Sequence, residues 1–156
     1  MKRKRWNEFI AFFSKENHLE TSIRYLEASI EYLKIWTMHN FKELKVWQKS
    51  VDMAVKIYSV TKSYPNEEKF GLISQMRRAG VSIPSNIAEG CAKTSNKSFV
   101  NSLEVSLGES FELETQMIIS ERIGILDNTT ARELESDLSE IQKMIMGLKS
   151  SIEAKS

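Results

Sequence analysis

Apolar positions in this chain recur at helical spacing almost from end to end. Between residues 43 and 63, Leu44, Trp47, Val51, Ala54, Tyr58 and Thr61 step by three and four, which predicts one buried helix face. Tyr64-Pro65-Asn66 ends that helix, and Glu67-Glu68 opens the next, where carboxylates suit the positive end of the helix dipole. The second helix carries Phe70, Ile73, Met76, Gly80, Ile83 and Ile87, with Gly90 as its natural stop. Thr94-Ser95-Asn96 supplies N-cap candidates for a third helix over residues 96–123. Gly124 and Asp127-Asn128 form the following turn, with Thr129 or Thr130 as the next cap. The fourth helix steps 4-3-4-3-4 through Leu134, Leu138, Ile141, Ile145, Leu148 and Ile152, an unbroken heptad seam.

The third helix has two apolar faces. Phe99, Leu103, Ser106, Ser110, Leu113 and Met117 make one stripe, small in the middle; Val100, Leu107, Phe111 and Ile118 make another. No stretch alternates with period two for long, so the chain reads as all-α. Four such helices with short connections predict an antiparallel up-and-down four-helix bundle. Ahead of it, Leu19, Ile23, Leu26, Ile30 and Leu33 also step 4-3-4-3, which predicts an additional N-terminal amphipathic helix. The expected division is a helical extension, residues 1–37, and a bundle domain, residues 38–156.

One segment resists the pattern. Pro84 sits where the second helix should be uninterrupted; it lacks a backbone N–H, and its ring collides with the carbonyl four residues back, that of Gly80. Glycine under the clash, with Ser82 and Ser85 near the freed backbone groups, predicts a deliberate structural kink at Gly80 and Pro84.

Composition narrows the function more by exclusion than by suggestion. With 41% hydrophobic and 28% charged residues the chain can bury a core and keep a polar surface. Its net charge of +1 gives no global bias toward nucleic acid or anionic membrane. Residues 1–37 carry seven Lys/Arg against five Asp/Glu; residues 38–156 carry fifteen against sixteen, a balance of −1. Cys91 is the only cysteine, so there is no disulfide framework and no thiolate metal site. No apolar run approaches the roughly 20 residues that span a bilayer. MKRKR before WNEFIAFF has the opening of a signal peptide, but Glu8 interrupts it and SKEN ends it early. The expected location is the cytoplasm, with no membrane partner.

Catalytic signatures are missing. His18 and His39 are the only histidines, both outside the core, so no Glu-x-x-His pairs exist to build a bundle metal site, and no metal or cofactor is expected. There is no Gly-rich phosphate loop and no nucleophile elbow. The reading is therefore of a protein that is not an enzyme; the competing enzyme reading rests on Glu89 used together with Arg77 and Arg78. Those arginines, with Lys93 and Lys97, are the candidate nucleic-acid contacts, since guanidinium and ammonium groups suit phosphates. Structural carboxylate partners are available to the arginines in Glu109, Glu112 or Glu114 on the next helix.

FKELKVWQKSVDMAVKIY, YPNEEKFGL, SQMRRAGVSIPSNIAEG and the LGES-FELETQM stretch together resemble the bacterial four-helix bundle proteins known as 23S rRNA intervening sequence proteins. The genes of that family were first noticed inside insertions in large-subunit ribosomal RNA genes. The resemblance covers residues 41 to 150. It implies a homopentamer around a central channel and no established enzymatic activity. A related branch is the accessory variability protein of diversity-generating retroelements, which binds a reverse transcriptase and nucleic acid. The resemblance thus implies as partners the chain itself, RNA or DNA, and a reverse transcriptase. In a pentamer the second stripe of the third helix, Val100, Leu107, Phe111 and Ile118, becomes the oligomer interface. The chain departs from the family in having glycine rather than alanine at Gly80, and only Lys93 as a charge in Cys91-Ala92-Lys93. It also departs in its first 37 residues, which precede the usual family start near Met38. The retroelement branch is strongly basic, unlike this core.

Overall fold

The computed structural model describes residues 23–27, 29 and 40–154. The chain divides into two compact units, Met1–His39 and Asn40–Ser156. In the first, residues 23–27 and 29 are helical, with Ile23, Tyr25 and Leu26 exposed. Leu19, Ile30 and Leu33 of the expected heptad stripe, the MKRKR cluster and both histidines lie outside the described residues.

The second unit is a four-helix bundle: α1 (Lys45–Val60), α2 (Leu72–Cys91), α3 (Asn96–Arg122) and α4 (Asn128–Glu153). Short turns of 3-10 helix precede α1 at Phe41–Glu43 and α2 at Asn66–Lys69. Each helix packs on the next, and α1 closes on α4, so the four stand as an antiparallel square. Among the described residues there is no strand.

Local signals explain most boundaries. Ser95 accepts a hydrogen bond from the Ser98 N–H and caps α3. The cap of α4 is Asp127, not Thr129 or Thr130: its carboxylate accepts from the Thr130 N–H at 2.9 Å. Hydrogen bonding to the Thr130 side chain, joined by that backbone bond, holds the Asp127 carboxyl below its ordinary range. Gly124 takes the left-handed conformation, φ 81°, while the N–H groups of Ile125 and Leu126 return to the Ser120 carbonyl. Glu68 acts across the start of α2, its carboxylate accepting from the Leu72 N–H at 3.0 Å.

The core stripes of α3 and α4 lie where the spacing puts them. Phe99, Leu103, Ser106, Ser110, Leu113 and Met117 are buried, as are Leu134, Leu138, Ile141, Ile145 and Ile152. In α1 the buried face matches the expected one only in part, at Ala54 and Thr61. Val46, Ser50, Met53, Ala54 and Ile57 are inside, while Trp47 and Val51 are half-buried and Tyr58 is exposed. The two sets lie on adjacent flanks of one wide apolar arc, and the bundle takes the other flank. Phe70 is a second correction: it stands before α2 and is 87% exposed.

α2 runs unbroken through Pro84 to Cys91. The Ser85 hydroxyl donates to the Val81 carbonyl at 2.8 Å, and Ser106 of α3 donates to the Ile83 carbonyl at 2.9 Å. These bonds engage two carbonyls near the proline; the one that its ring deprives of a donor is that of Gly80. Ser82 instead accepts through its hydroxyl and carbonyl from the Asn86 amide. Gly80 lies against Ala54 and Ile57 of α1, with room for a methyl at 3.7 Å. Gly90 does not stop the helix. It is buried one residue before the end, where a Cβ would lie 2.5 Å from the Phe99 ring. Glycine is there so that α2 and α3 can touch.

Candidate functional site

Arg77 and Arg78 sit side by side on α2 but point to different neighbours. Arg78 is held between Glu109, at 3.2 Å, and Glu112 of α3, which together raise its guanidinium above its ordinary value. Arg77 faces α1: its Nε donates to the Thr61 hydroxyl at 2.8 Å, and its guanidinium lies 4.8 Å over the Tyr58 ring. Glu114 is not a partner of either; it accepts from the Gln142 amide of α4. Lys93 pairs with Glu89 at 2.6 Å just past the end of α2, and Lys97 is exposed in the first turn of α3.

The four cations do not form one patch. From Arg78 to Cys91 the helix is about 20 Å long at 1.5 Å per residue, so the arginines lie toward one end of the bundle and the lysines at the other. Two of the four carry carboxylate partners, which flattens the local field. Glu89 is exposed and paired to Lys93, about 16 Å along α2 from Arg78 at 1.5 Å per residue. Among the described residues no group of three or more His, Cys, Asp or Glu could hold a metal ion. Cys91 is buried, which pushes its thiol up and away from the reactive thiolate. No described helix is long and apolar enough to cross a membrane.

Two surfaces stand out instead, both apolar. On α3 the second stripe divides along its length: Val100 and Leu107 pack partly on the core, while Phe111 is 50% and Ile118 40% exposed. This stripe lies on the flank that faces α4, because Glu104 and Glu114, three and four residues from its members, reach Lys149 and Gln142 there. Met146 of α4 is exposed on the same side.

The second surface is a groove of about 560 Å³ between α1 and α2. Phe41, Trp47, Val51, Val55 and Tyr58 line one wall, and Val81, Pro84, Ser85 and Ala88 the other. Phe41 and Trp47 meet edge to face with ring centroids 5.0 Å apart. No charged side chain lines this groove, and Arg77, on Tyr58, stands at one end. Sequence periodicity assigned Trp47, Val51 and Tyr58 to the core. The signal that turns them from the centre toward the groove is the parallel stripe Val46, Ser50, Met53 and Ile57, which makes α1 apolar over more than one face.

Ion pairs ring the remaining surface, among them Lys49–Glu140 at 2.8 Å and Lys56–Asp137 at 2.5 Å between α1 and α4. Exposed pairs of this kind contribute little, on the order of 0–1 kcal/mol each. They leave the α1/α4 side polar; the α1/α2 side is apolar, and the α3/α4 side carries its exposed apolar stripe beside the Glu104–Lys149 pair.

Comparison with known proteins agrees with this architecture. The model of the 23S rRNA-intervening sequence protein family matches residues 42–147. A crystal structure from Bacteroides thetaiotaomicron, described as a protein of unknown function from the S23 ribosomal protein family, is similar at 30% identity with a TM-score of 0.63. The similarity covers 67% of this chain and 97% of that one. No curated protein matches the chain. With the bundle, its residue pattern and these matches in agreement, the chain belongs to the 23S rRNA-intervening sequence protein family.

Proposed function

We propose that this protein is a non-enzymatic scaffold that assembles with copies of itself, as a homopentamer, and whose client is a nucleic acid or a nucleic-acid-handling protein. The observation that carries this reading is the apolar stripe of α3, where Phe111 and Ile118 stay exposed on a bundle whose core is otherwise closed. An apolar patch of that kind on a folded surface marks an interaction site. The pentameric state is what the family resemblance implies. The nucleic-acid limb draws on the family name, which ties its genes to ribosomal RNA genes, and on Lys93 and Lys97 at one end of α2 and α3, a corner that a ring repeats in every copy.

Light scattering at micromolar concentration should return a mass several times that of one chain, and Phe111→Glu should dissociate the assembly without loss of helix content. A monomeric wild type would refute the scaffold reading. Fluorescence anisotropy with structured RNA and duplex DNA should then show weak, sequence-tolerant binding that falls steeply with salt, since phosphate contacts release counterions. Replacing Lys93 and Lys97 with Glu should reduce it. Absence of binding by the assembled protein at low salt would leave a protein as the client.

A further inference from the structure

The two apolar surfaces are placed on opposite sides of the bundle. The helices stand in the order α1, α2, α3, α4 around a square, so the α1/α2 side is opposed to the α3/α4 side. One surface is concave, the groove between α1 and α2; the other is a ridge, with Leu107, Phe111 and Ile118 at helical spacing along α3. A two-fold contact would pair like with like and leave one of the two surfaces of each copy bare. A head-to-tail contact covers both; repeated, it closes into a ring where the rotation between copies divides a full turn, and runs on as a filament where it does not.

We infer that the α1/α2 groove is the seat for the α3 ridge of a second copy of this chain. The inference rests on the self-assembly proposed above and specifies which surfaces meet. Register supports it. Within one bundle Ser106 is level with Ile83, and Glu109 and Glu112 are level with Arg78. The groove, from Ala88 up to Arg77, therefore spans the same height as the middle of α3. In a ring of upright bundles, Leu107 and Phe111 of one copy face the groove of the next, and Glu114 comes level with Arg77. That pairing is complementary in charge. Among the described residues no carboxylate of the same chain pairs with Arg77, and Glu114 bonds only an amide. Ridge-into-groove seating of a helix with anchors at i and i+4 is an ordinary mode of helix recognition.

A mixing experiment tests the assignment. Val81→Glu places a charge in the groove, at a residue 44% exposed, and Phe111→Glu places one on the ridge. Both sites are solvent-facing, and circular dichroism checks that each variant is helical; Val55→Glu replaces the groove variant if Val81→Glu is not. Each variant alone should be monomeric in sedimentation analysis. Mixed in equal amounts they should form a one-to-one dimer and nothing larger, because only one intact groove and one intact ridge remain. A groove variant that still forms the wild-type assembly would overturn the assignment while leaving self-assembly standing. Failure of the mixture to dimerise across a concentration series would overturn it as well. A monomeric wild type would remove both readings together.

Discussion

Gly80 and Gly90 occupy one helix and one buried face, yet alanine should act on them in opposite directions. At Gly80 a methyl would meet the Ala54 Cα and the Ile57 side chain at 3.7 Å, which is ordinary contact. Removing glycine from a helix interior gains about 0.8–1 kcal/mol, and the added methyl fills space instead of taking it. Gly80→Ala should therefore stabilise the bundle by about 1 kcal/mol, raising the melting temperature by about 4 °C for a unit of this size. At Gly90 the same methyl would lie 2.5 and 2.8 Å from two carbons of the Phe99 ring and 3.0 Å from the Ser102 Cβ. Phe99 is itself buried, so its ring has nowhere to go. Overpacking of this kind costs typically 1–3 kcal/mol and exceeds the propensity gain. Gly90→Ala should lower the melting temperature. Thermal and urea denaturation of both variants, at one protein concentration because assembly couples to stability, decides the matter. A stabilised Gly90→Ala, or a destabilised Gly80→Ala, would show that the assigned contacts between α2 and its neighbours are wrong.

Pro84→Ala restores a backbone donor but removes part of the groove wall; light scattering should show weaker assembly, whereas an unchanged oligomer with a raised melting temperature would make the proline incidental. Asp127→Asn keeps a side chain that can cap α4 while removing the titration. A carboxyl depressed in the folded state contributes stability above its unfolded value, about pH 3.9, and that contribution is lost as pH falls through the folded value. The variant should melt near wild type at neutral pH and decline less steeply in acid; parallel melting curves from pH 7 to 2 would rule out the cap as a source of acid sensitivity.

How much of this could be read beforehand depended on how many faces each helix makes apolar. α4 has one seam, and its spacing located Leu134, Leu138, Ile141, Ile145 and Ile152, took in the half-buried Leu148 and left out the buried Ala131 and Gln142. α1 has two flanks of similar hydrophobicity, and periodicity alone cannot choose between Trp47-Val51-Tyr58 and Val46-Met53-Ile57; the choice is made by what α2 and α4 present. The same ambiguity hides the groove, because its wall has the spacing of a core face. Gly90 was misread since a glycine that ends a helix and one that admits a neighbouring ring are the same letter. The partners of Arg78 were legible, since α3 offers carboxylates on the facing flank. Arg77 was not, because its partner is the face of an aromatic ring assigned to the interior.

The close approach of α2 and α3 also bears on how the chain acquires its structure. These helices are neighbours in sequence, joined by a short turn, and their contact is the most extensive in the bundle. Bringing them together costs little loop-closure entropy. The α1–α4 contact, by contrast, joins segments from opposite ends of the bundle and forms the smallest interhelical surface in the square. The hairpin of α2 and α3 should thus organise first, with α1 and α4 docking on it, and its amides should be the slowest to exchange with solvent. Transient openings of the native bundle would begin at the α1–α4 seam, along which the exposed ion pairs Lys49–Glu140 and Lys56–Asp137 are the first ties to part.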